Sequence, residues 1–245
     1  MLILGGTGEA VELAAKVAAI PGTTVITSLA GRTRPPTASF ASTRVGGFGG
    51  VPGLIDYLRQ QRIDISIDAT HPFADGISGN AAAAATAVGI PHLQLVRPAW
   101  EPTQGDRWID VASHEAAAGI LPGLAERIFL SIGRQELEKY AHLRELWFLM
   151  RAIEPPLPDA PMPPGNFRAE RGPFSLNSER ALLQDYRIGA IVSKNSGGDA
   201  TYAKIIAARE LGIPVVMVRR PPMPPGVRVG DVDSALRWLS GKLLN

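Results

Sequence analysis

The opening run MLILGGTGEA places three glycines and a threonine between an apolar triplet and an alanine-rich helical pattern. A strand that delivers a glycine turn into a helix N-terminus presents backbone N–H groups and the positive end of the helix dipole to an anion. Glycine also lets the backbone approach a pyrophosphate closely. The usual fingerprint has a third glycine where this chain has Val11, so a plain strand-to-helix turn is the alternative. The turn predicts a dinucleotide site formed by Gly5, Gly6, Thr7, Gly8 and Glu9.

The second apolar run ends in SLAGRTR, which bears on the choice of dinucleotide. Sites that prefer NAD carry an acidic residue about 20 residues after the glycines, where it holds the ribose 2′-hydroxyl. Here a hydroxyl and guanidinium groups stand instead, and these can receive a 2′-phosphate. We therefore predict NADPH as the cofactor, held at this end by Ser28, Arg32 and Thr33. The alternative is that Arg32 and Arg34 only solvate a loop.

Two more stretches of the first half carry polar or glycine residues after predicted strands: GGFGG (46–50) and DATHPFA (68–74). Ligands of open α/β sheets bind at the carboxyl edge of the strands. Thr70 can donate to a ligand there, and His71 can bind an anionic group or relay a proton. We predict Gly47 and Thr70 as cofactor contacts and His71 as a candidate catalytic residue, with a purely structural His-Pro turn as the alternative.

The second half repeats the pattern of strand, glycine turn and helix in IVSKNSGGDATYAK and LSIGRQEL. Two anion-receptive turns suit a substrate with several carboxylates, although each is also explained as a helix cap. The first is not a P-loop, because GxxxxGK[ST] is absent. Lys194 is a second candidate proton source beside His71 and water. The predicted substrate contacts are Arg134, Ser193, Lys194, Asn195, Ser196, Gly197 and Gly198.

The elements that must position these residues follow from the alternation of short apolar runs with helical periods. The predicted strands are Leu2–Leu4, Thr24–Ala30, Ile63–Thr70, His92–Arg97, Trp108–Val111, Arg127–Ile132, Trp147–Ile153, Ala190–Lys194 and Pro214–Val218. The predicted helices are Glu9–Ile20, Pro52–Gln61, Asp75–Val88, His114–Leu124, Gln135–Leu143, Asn177–Tyr186, Ala200–Leu211 and Val232–Leu243. The proline-rich stretch EPPLPDAPMPPG (154–165) is expected to be a stiff loop.

Strands that alternate with helices predict an α/β fold with a mostly parallel sheet. The composition shift at Pro98–Gly105 indicates a linker. We therefore expect two doubly wound Rossmann-like parallel-sheet domains with a cleft between them. Residues 1–98 would bind NADPH, and residues 106–245 would contribute to substrate binding.

Composition excludes several classes of protein. The 245 residues are 45% hydrophobic and 20% charged and contain no cysteine, which rules out disulfides, thiolate metal sites and a cysteine nucleophile. A net charge of +2 gives no argument for nucleic acid. We expect a cytoplasmic protein with no membrane segment and no bound metal, because no targeting pattern, long apolar run or ligand spacing is present. The sequence does not indicate an oligomeric state.

Taken in this order, LILGGTGEA, SLAGR, GGFGG, DATHPFA and SKNSGGDATYAKIIAARELGIPVVMVRRP resemble the precorrin-6A reductase family of cobalamin biosynthesis. The resemblance runs from near residue 1 to about residue 222. It implies an NADPH-dependent reduction of one double bond of a tetrapyrrole, precorrin-6A, to give precorrin-6B. It also implies two Rossmann-like domains with the active site between them.

Three other functions are alternatives at this stage. One is the reduction of the cobalt-containing counterpart of the same substrate, and another is nucleotide sensing without turnover. The third is a short-chain dehydrogenase or epimerase, which requires a Tyr-x-x-x-Lys pair. Tyr57 is followed at the fourth position by Gln61 and Tyr140 by Arg144, so the sequence argues against that third function.

Overall fold

A computed structural model describes residues 1–30 and 42–243 of the chain. The chain forms two compact units, one made of Met1–Pro98 with Pro221–Asn245 and the other of Ala99–Arg220. In the described residues, no helix has the length and apolar character needed to span a lipid bilayer.

The first unit is built on a six-stranded sheet in which all neighbouring strands are parallel. Its strand order is β12-β5-β4-β1-β2-β3. The strands are β1 Leu2–Leu4, β2 Ile26–Leu29, β3 Ser42–Val45, β4 Ser66–Asp68, β5 His92–Leu95 and β12 Val227–Val229. The central strands β1 and β4 are buried on both faces, as the sequence pattern of parallel strands requires.

Helices cover both faces of this sheet. They are α1 Gly8–Ala18, α2 Gly50–Gln60, α3 Asp75–Val88 and α7 Val232–Leu243. Successive side chains of β1 point to opposite faces, so Ile3 packs in a core with α1 and α7 while Leu2 and Leu4 pack in another with α2 and α3. The buried residues of α1 are Ala10, Leu13, Ala14 and Val17, which recur at helical spacing and form its apolar face.

The second unit has a parallel sheet of the same size, with the strand order β6-β11-β10-β7-β8-β9. Its strands are β6 Trp108–Val111, β7 Arg127–Ser131, β8 Trp147–Ala152, β9 Gly165–Ala169, β10 Ala190–Lys194 and β11 Val215–Val218. The helices are α4 His114–Ile120, α5 Leu176–Asp185 and α6 Ala203–Leu211. Two 3-10 helices, Leu121–Gly123 and Arg134–Tyr140, complete this unit.

The predicted fold class, α/β with two doubly wound parallel sheets, is confirmed. Three strands were not predicted: β3, β9 and β12. All three are sheet-edge strands whose residues are mostly exposed, so they lack the apolar run that identified β1 and the other buried strands. The helix predicted at Gln135–Leu143 is instead a 3-10 helix.

The boundary of the second domain also differs from the expected residues 106–245. Strand β12 pairs with β5, and α7 packs its buried Val232, Ala235 and Leu239 into the core beside α1. The chain therefore returns to the first unit at Pro221. Because α7 is amphipathic and can cover either sheet, its sequence period does not reveal which sheet it joins.

Candidate functional site

Both predicted ligand-binding regions lie where the strand order of a sheet reverses. In the first sheet β1 and β4 are neighbours, and in the second β7 and β10 are neighbours. From each pair the chain winds outward in opposite directions, which makes the pair a topological switch point. GGTGEA follows β1 and DATHPFA follows β4, while LSIGR ends β7 and SKNSGG ends β10. All four motifs therefore stand at the carboxyl edge where such sheets bind ligands.

The first glycine turn has the geometry of an anion site. Gly6 has φ of +119°, a conformation that favours glycine, and a Cβ built on Gly6 or Gly8 meets no described atom within 4 Å. Thr7 caps α1, its hydroxyl accepting from the N–H of Ala10 at 3.1 Å. The N–H groups of Gly8 and Glu9 lie in the first turn, where an α-helix has no acceptor for them. The turn thus presents its first N–H groups beside exposed glycines whose Cβ positions no described atom approaches within 4 Å.

Thr7 also joins the two turns of the first switch point. Its hydroxyl donates to the carbonyl of Ala69 at 2.8 Å, although 62 residues separate them in sequence. Gly5 donates its N–H to the carbonyl of Ser28 at 2.9 Å, which attaches the same turn to the end of β2. The ends of β1, β2 and β4 are therefore held together around the glycine turn.

Glu9 has a second role that the sequence did not reveal. Its carboxylate receives hydrogen bonds from Arg97 at 3.0 and 3.2 Å, in an ion pair that is mostly shielded from solvent. Arg97 follows β5 and so reaches the same sheet edge. The guanidinium neutralises a carboxylate that would repel an anion at the start of α1. The signal that pointed to the other motifs, a polar residue after a strand, also applies to Arg97.

The turn after β4 is organised by the buried carboxylate of Asp68. It accepts from the N–H and the hydroxyl of Thr70 at 3.0 and 2.6 Å. Because the hydroxyl hydrogen of Thr70 is directed to Asp68, its oxygen can act only as an acceptor, and the Ser78 hydroxyl lies 3.4 Å from it; the sequence suggested a donor. His71 accepts the N–H of Phe73 at its Nδ1, 3.2 Å away. In the neutral ring the proton is therefore on Nε2.

The remaining predicted cofactor contacts divide into two groups. Ser28 and Gly47 lie within the described residues. Ser28 is buried near the end of β2, and the carbonyl of Gly47 accepts a hydrogen bond from Arg44 at 2.6 Å. Arg32 and Thr33 lie outside the described residues.

The second switch point is shaped by Trp100, a residue that the sequence assigned only to a linker. The side chain of Asn195 makes two hydrogen bonds to the backbone of Trp100. Its Oδ1 accepts from the Trp100 N–H at 2.8 Å, and its Nδ2 donates to the Trp100 carbonyl at 2.9 Å. The indole N–H of Trp100 donates to the carbonyl of Gly198 at 2.9 Å. Gly197 and Gly198 have φ of +68° and +75°. The SKNSGG turn is therefore fixed by a tryptophan about 95 residues earlier.

The turns after β7 and β10 bring the two predicted cations to one edge. A Cβ built on Gly133 would lie 3.6 Å from Nζ of Lys194, so the lysine amine stands over the LSIGR turn. Arg134, the next residue, donates to the carbonyl of Pro155 at 2.8 Å in the proline-rich loop. Ser193 is fully buried and directs its hydroxyl to a backbone carbonyl. Ser196 follows Asn195, and its N–H donates to the carbonyl of Lys194 at 2.7 Å.

A buried polar cluster influences Lys194 and was not identified from sequence. Nδ1 of His114 lies 2.8 Å from the hydroxyl of Tyr140, and its Nε2 is 3.9 Å from Glu136. The pKa of His114 is lowered to about 4, mainly by burial; the charge of Glu136 opposes this shift and that of Lys194 adds to it. Burial also lowers the pKa of Lys194, while Glu136 opposes that shift. At neutral pH the imidazole of His114 is therefore uncharged. Lys194 is a partly buried amine that interacts electrostatically with Glu136.

Two parallel sheets, each with glycine turns at its switch point, define a Rossmann-like α/β protein with a nucleotide-type turn in its first unit. The family model "Precorrin-6x reductase CbiJ/CobK" matches residues 1–240. The chain belongs to this family.

Individual relatives are similar over most of their length. A precorrin-6A reductase of Rhodococcus erythropolis is 51% identical over 98% of this chain and 96% of its own. A solved structure, "CobK precorrin-6A reductase", has a TM-score of 0.91 and 40% identity over 98% of this chain and 95% of its own. A cobalt-precorrin-6A reductase of Methanothermobacter thermautotrophicus is 30% identical over 90% of this chain and 76% of its own.

Proposed function

We propose that this protein is a precorrin-6A reductase that uses NADPH to reduce one double bond of precorrin-6A, giving precorrin-6B in cobalamin biosynthesis. The observation that carries the proposal is 51% identity, over 98% of the chain, to a relative with that name. Relatives named for the cobalt-containing substrate are less similar, at 28 to 30% identity. This difference favours the metal-free substrate.

The residues at the first switch point fit a nicotinamide dinucleotide. The open glycine turn, with its first-turn N–H groups and with Glu9 already neutralised by Arg97, suits a pyrophosphate. The Thr70 oxygen suits a ribose hydroxyl or a carboxamide N–H, and Arg32 and Thr33 are proposed to meet the 2′-phosphate. When bound, the cofactor supplies the hydride. The chain contributes by orienting the reactants, the main source of rate enhancement in such reactions.

The edge of the second sheet is proposed to hold the carboxylates of the tetrapyrrole. Lys194 and Arg134 supply positive charge, and the glycine amides of the SKNSGG turn add neutral donors. Lys194 is one of two proposed proton donors. The other is His71, whose Nδ1 is engaged by the N–H of Phe73, so that Nε2 is the nitrogen that would transfer a proton.

The proposal is tested by following the loss of NADPH absorbance when purified protein is mixed with precorrin-6A. We expect oxidation that depends on substrate and is much slower with NADH. Absence of oxidation would instead support a nucleotide sensor, and equal rates with NADH would contradict the choice of NADPH.

A pair of glycine variants tests the proposed cofactor turn. Gly6 and Gly22 both have positive φ, +119° and +79°, and both face open space among the described residues. Alanine therefore strains the backbone at either position, by about 1–3 kcal/mol. We expect Gly6→Ala to weaken NADPH binding about tenfold or more by calorimetry and Gly22→Ala to leave it unchanged. Equal effects would contradict the proposed location.

A further inference from the structure

Strand β3 brings a second arginine to the part of the sheet edge where the ribose is expected. β3 pairs in parallel with β2, and in this register Arg44 stands opposite Ser28. Nη1 of Arg44 lies 3.4 Å from the Ser28 hydroxyl. The Ser28 carbonyl in turn accepts the N–H of Gly5 at 2.9 Å. One continuous set of contacts thus leads from the glycine turn to Arg44.

The guanidinium of Arg44 is held in place by groups of the GGFGG loop. It donates to the carbonyls of Gly46 and Gly47, at 2.5 and 2.6 Å. Its carbon lies 3.8 Å from the centroid of the Phe48 ring and 5.2 Å from that of Tyr57. Contacts of this kind remove most of the rotamer freedom of an arginine before any ligand arrives.

All of the described partners of Arg44 are neutral. They are two carbonyls, a hydroxyl and two aromatic rings, and no ion pair within residues 1–30 and 42–243 includes Arg44. Arg97, another partly buried arginine at the first switch point, is by contrast paired with the carboxylate of Glu9. A fixed guanidinium without a described counter-charge is suited to a phosphate, which can accept its remaining N–H groups.

We infer that Arg44 is a specificity-determining residue that binds the 2′-phosphate of the cofactor. The inference rests on the proposed use of NADPH and assigns a cation of β3 to that site. In Rossmann-like folds the end of β2 is where the adenosine ribose is recognised. Arg44 is the residue that strand pairing places beside that end.

The test uses two small ligands that differ only in the 2′-phosphate, adenosine 2′,5′-bisphosphate and AMP. Calorimetric affinities are measured for the wild-type protein and for Arg44→Gln, Arg44→Lys and a control, Arg59→Gln, whose side chain is exposed on α2. We expect Arg44→Gln to weaken binding of the bisphosphate about tenfold and that of AMP by less than twofold. Arg44→Lys should recover part of the loss, and Arg59→Gln should change neither affinity.

Two outcomes would overturn the inference. If Arg44→Gln weakens both ligands equally, Arg44 only supports the GGFGG loop. If it weakens neither while the wild type prefers the bisphosphate, the 2′-phosphate is bound elsewhere and the proposed use of NADPH stands. A wild type that does not prefer the bisphosphate would overturn the cofactor proposal itself. Matching circular dichroism melting curves ensure that the variants compared are folded.

Discussion

At the scale of the residue, the second unit contains a lysine that is buried almost completely. Lys204 donates to the carbonyl of Thr201 at 3.2 Å, and its ammonium lies 5.0 Å from the centroid of the Trp100 ring. Burial lowers its pKa to about 7; the charge of Arg151 adds to this shift, and that of Glu179 opposes it. Nearby, Arg151 and Glu179 form a buried bidentate ion pair, with N···O distances of 2.6 and 2.7 Å. The site thus combines three ionisable groups in an apolar core.

Lys204 predicts a pH dependence of stability. Its unfolded pKa is near 10.4, so between about pH 7 and pH 10 the unfolded state binds more protons than the native state. The contribution of Lys204 therefore makes the free energy of unfolding rise with pH in this window. We expect Lys204→Met to be the more stable protein at pH 7, with an advantage that shrinks toward pH 10. Urea unfolding at several pH values measures this, and a constant difference would contradict it.

At the scale of the element, the edge strand β9 depends on a single glycine. Gly165 has φ of +138° and stands opposite Phe148 of β8. A Cβ at this position would overlap the Phe148 carbonyl oxygen, so β9 pairs with β8 only because residue 165 has no side chain. The proline-rich stretch before it was correctly predicted to be irregular up to Pro164. The pairing that follows was not predicted, because a glycine after prolines is typical of a turn.

Replacing this glycine should remove the edge strand. We expect Gly165→Ala to destabilise the protein by more than about 2 kcal/mol, because backbone overlap and a strained φ act together. Gly119→Ala is a matched control, since its Cβ meets no described atom within 4 Å and the helix α4 favours alanine. Chemical denaturation compares the two. Similar losses would contradict the role assigned to Gly165.

At the scale of the whole molecule, the chain enters its second unit at Ala99 and leaves it at Arg220. The first unit is therefore made of the first 98 residues of the chain together with its last 25, Pro221–Asn245. Gln94, fully buried in β5, donates to the carbonyl of Pro224 at 3.2 Å and accepts from Arg228 at 3.3 Å. These contacts attach the returning segment to the first sheet. The first unit is therefore complete only when both of these segments are present.

This division predicts where a core substitution acts. Leu239 of α7 is fully buried in the core of the first unit, so Leu239→Ala should cost about 2–5 kcal/mol. Hydrogen exchange with mass spectrometry should show lost protection in residues 1–98 and 221–245. Ile205→Ala, in the core of the second unit, should give the reciprocal pattern in residues 99–220. If Leu239→Ala deprotected residues 99–220 instead, the sequence-based boundary of 106–245 would be supported.

The sequence by itself determined the alternation of strands and helices and the glycine turns at the strand ends. Hydrophobic period and glycine content are local properties, and positive φ at Gly6 or Gly197 needs no distant partner. Only the tertiary structure decided which strands are neighbours. It therefore decided that Thr7 reaches Ala69, that Glu9 is paired with Arg97 and that Arg44 lies beside Ser28. These contacts depend on strand order, which a chain specifies through the packing of its complete core and not through any single segment.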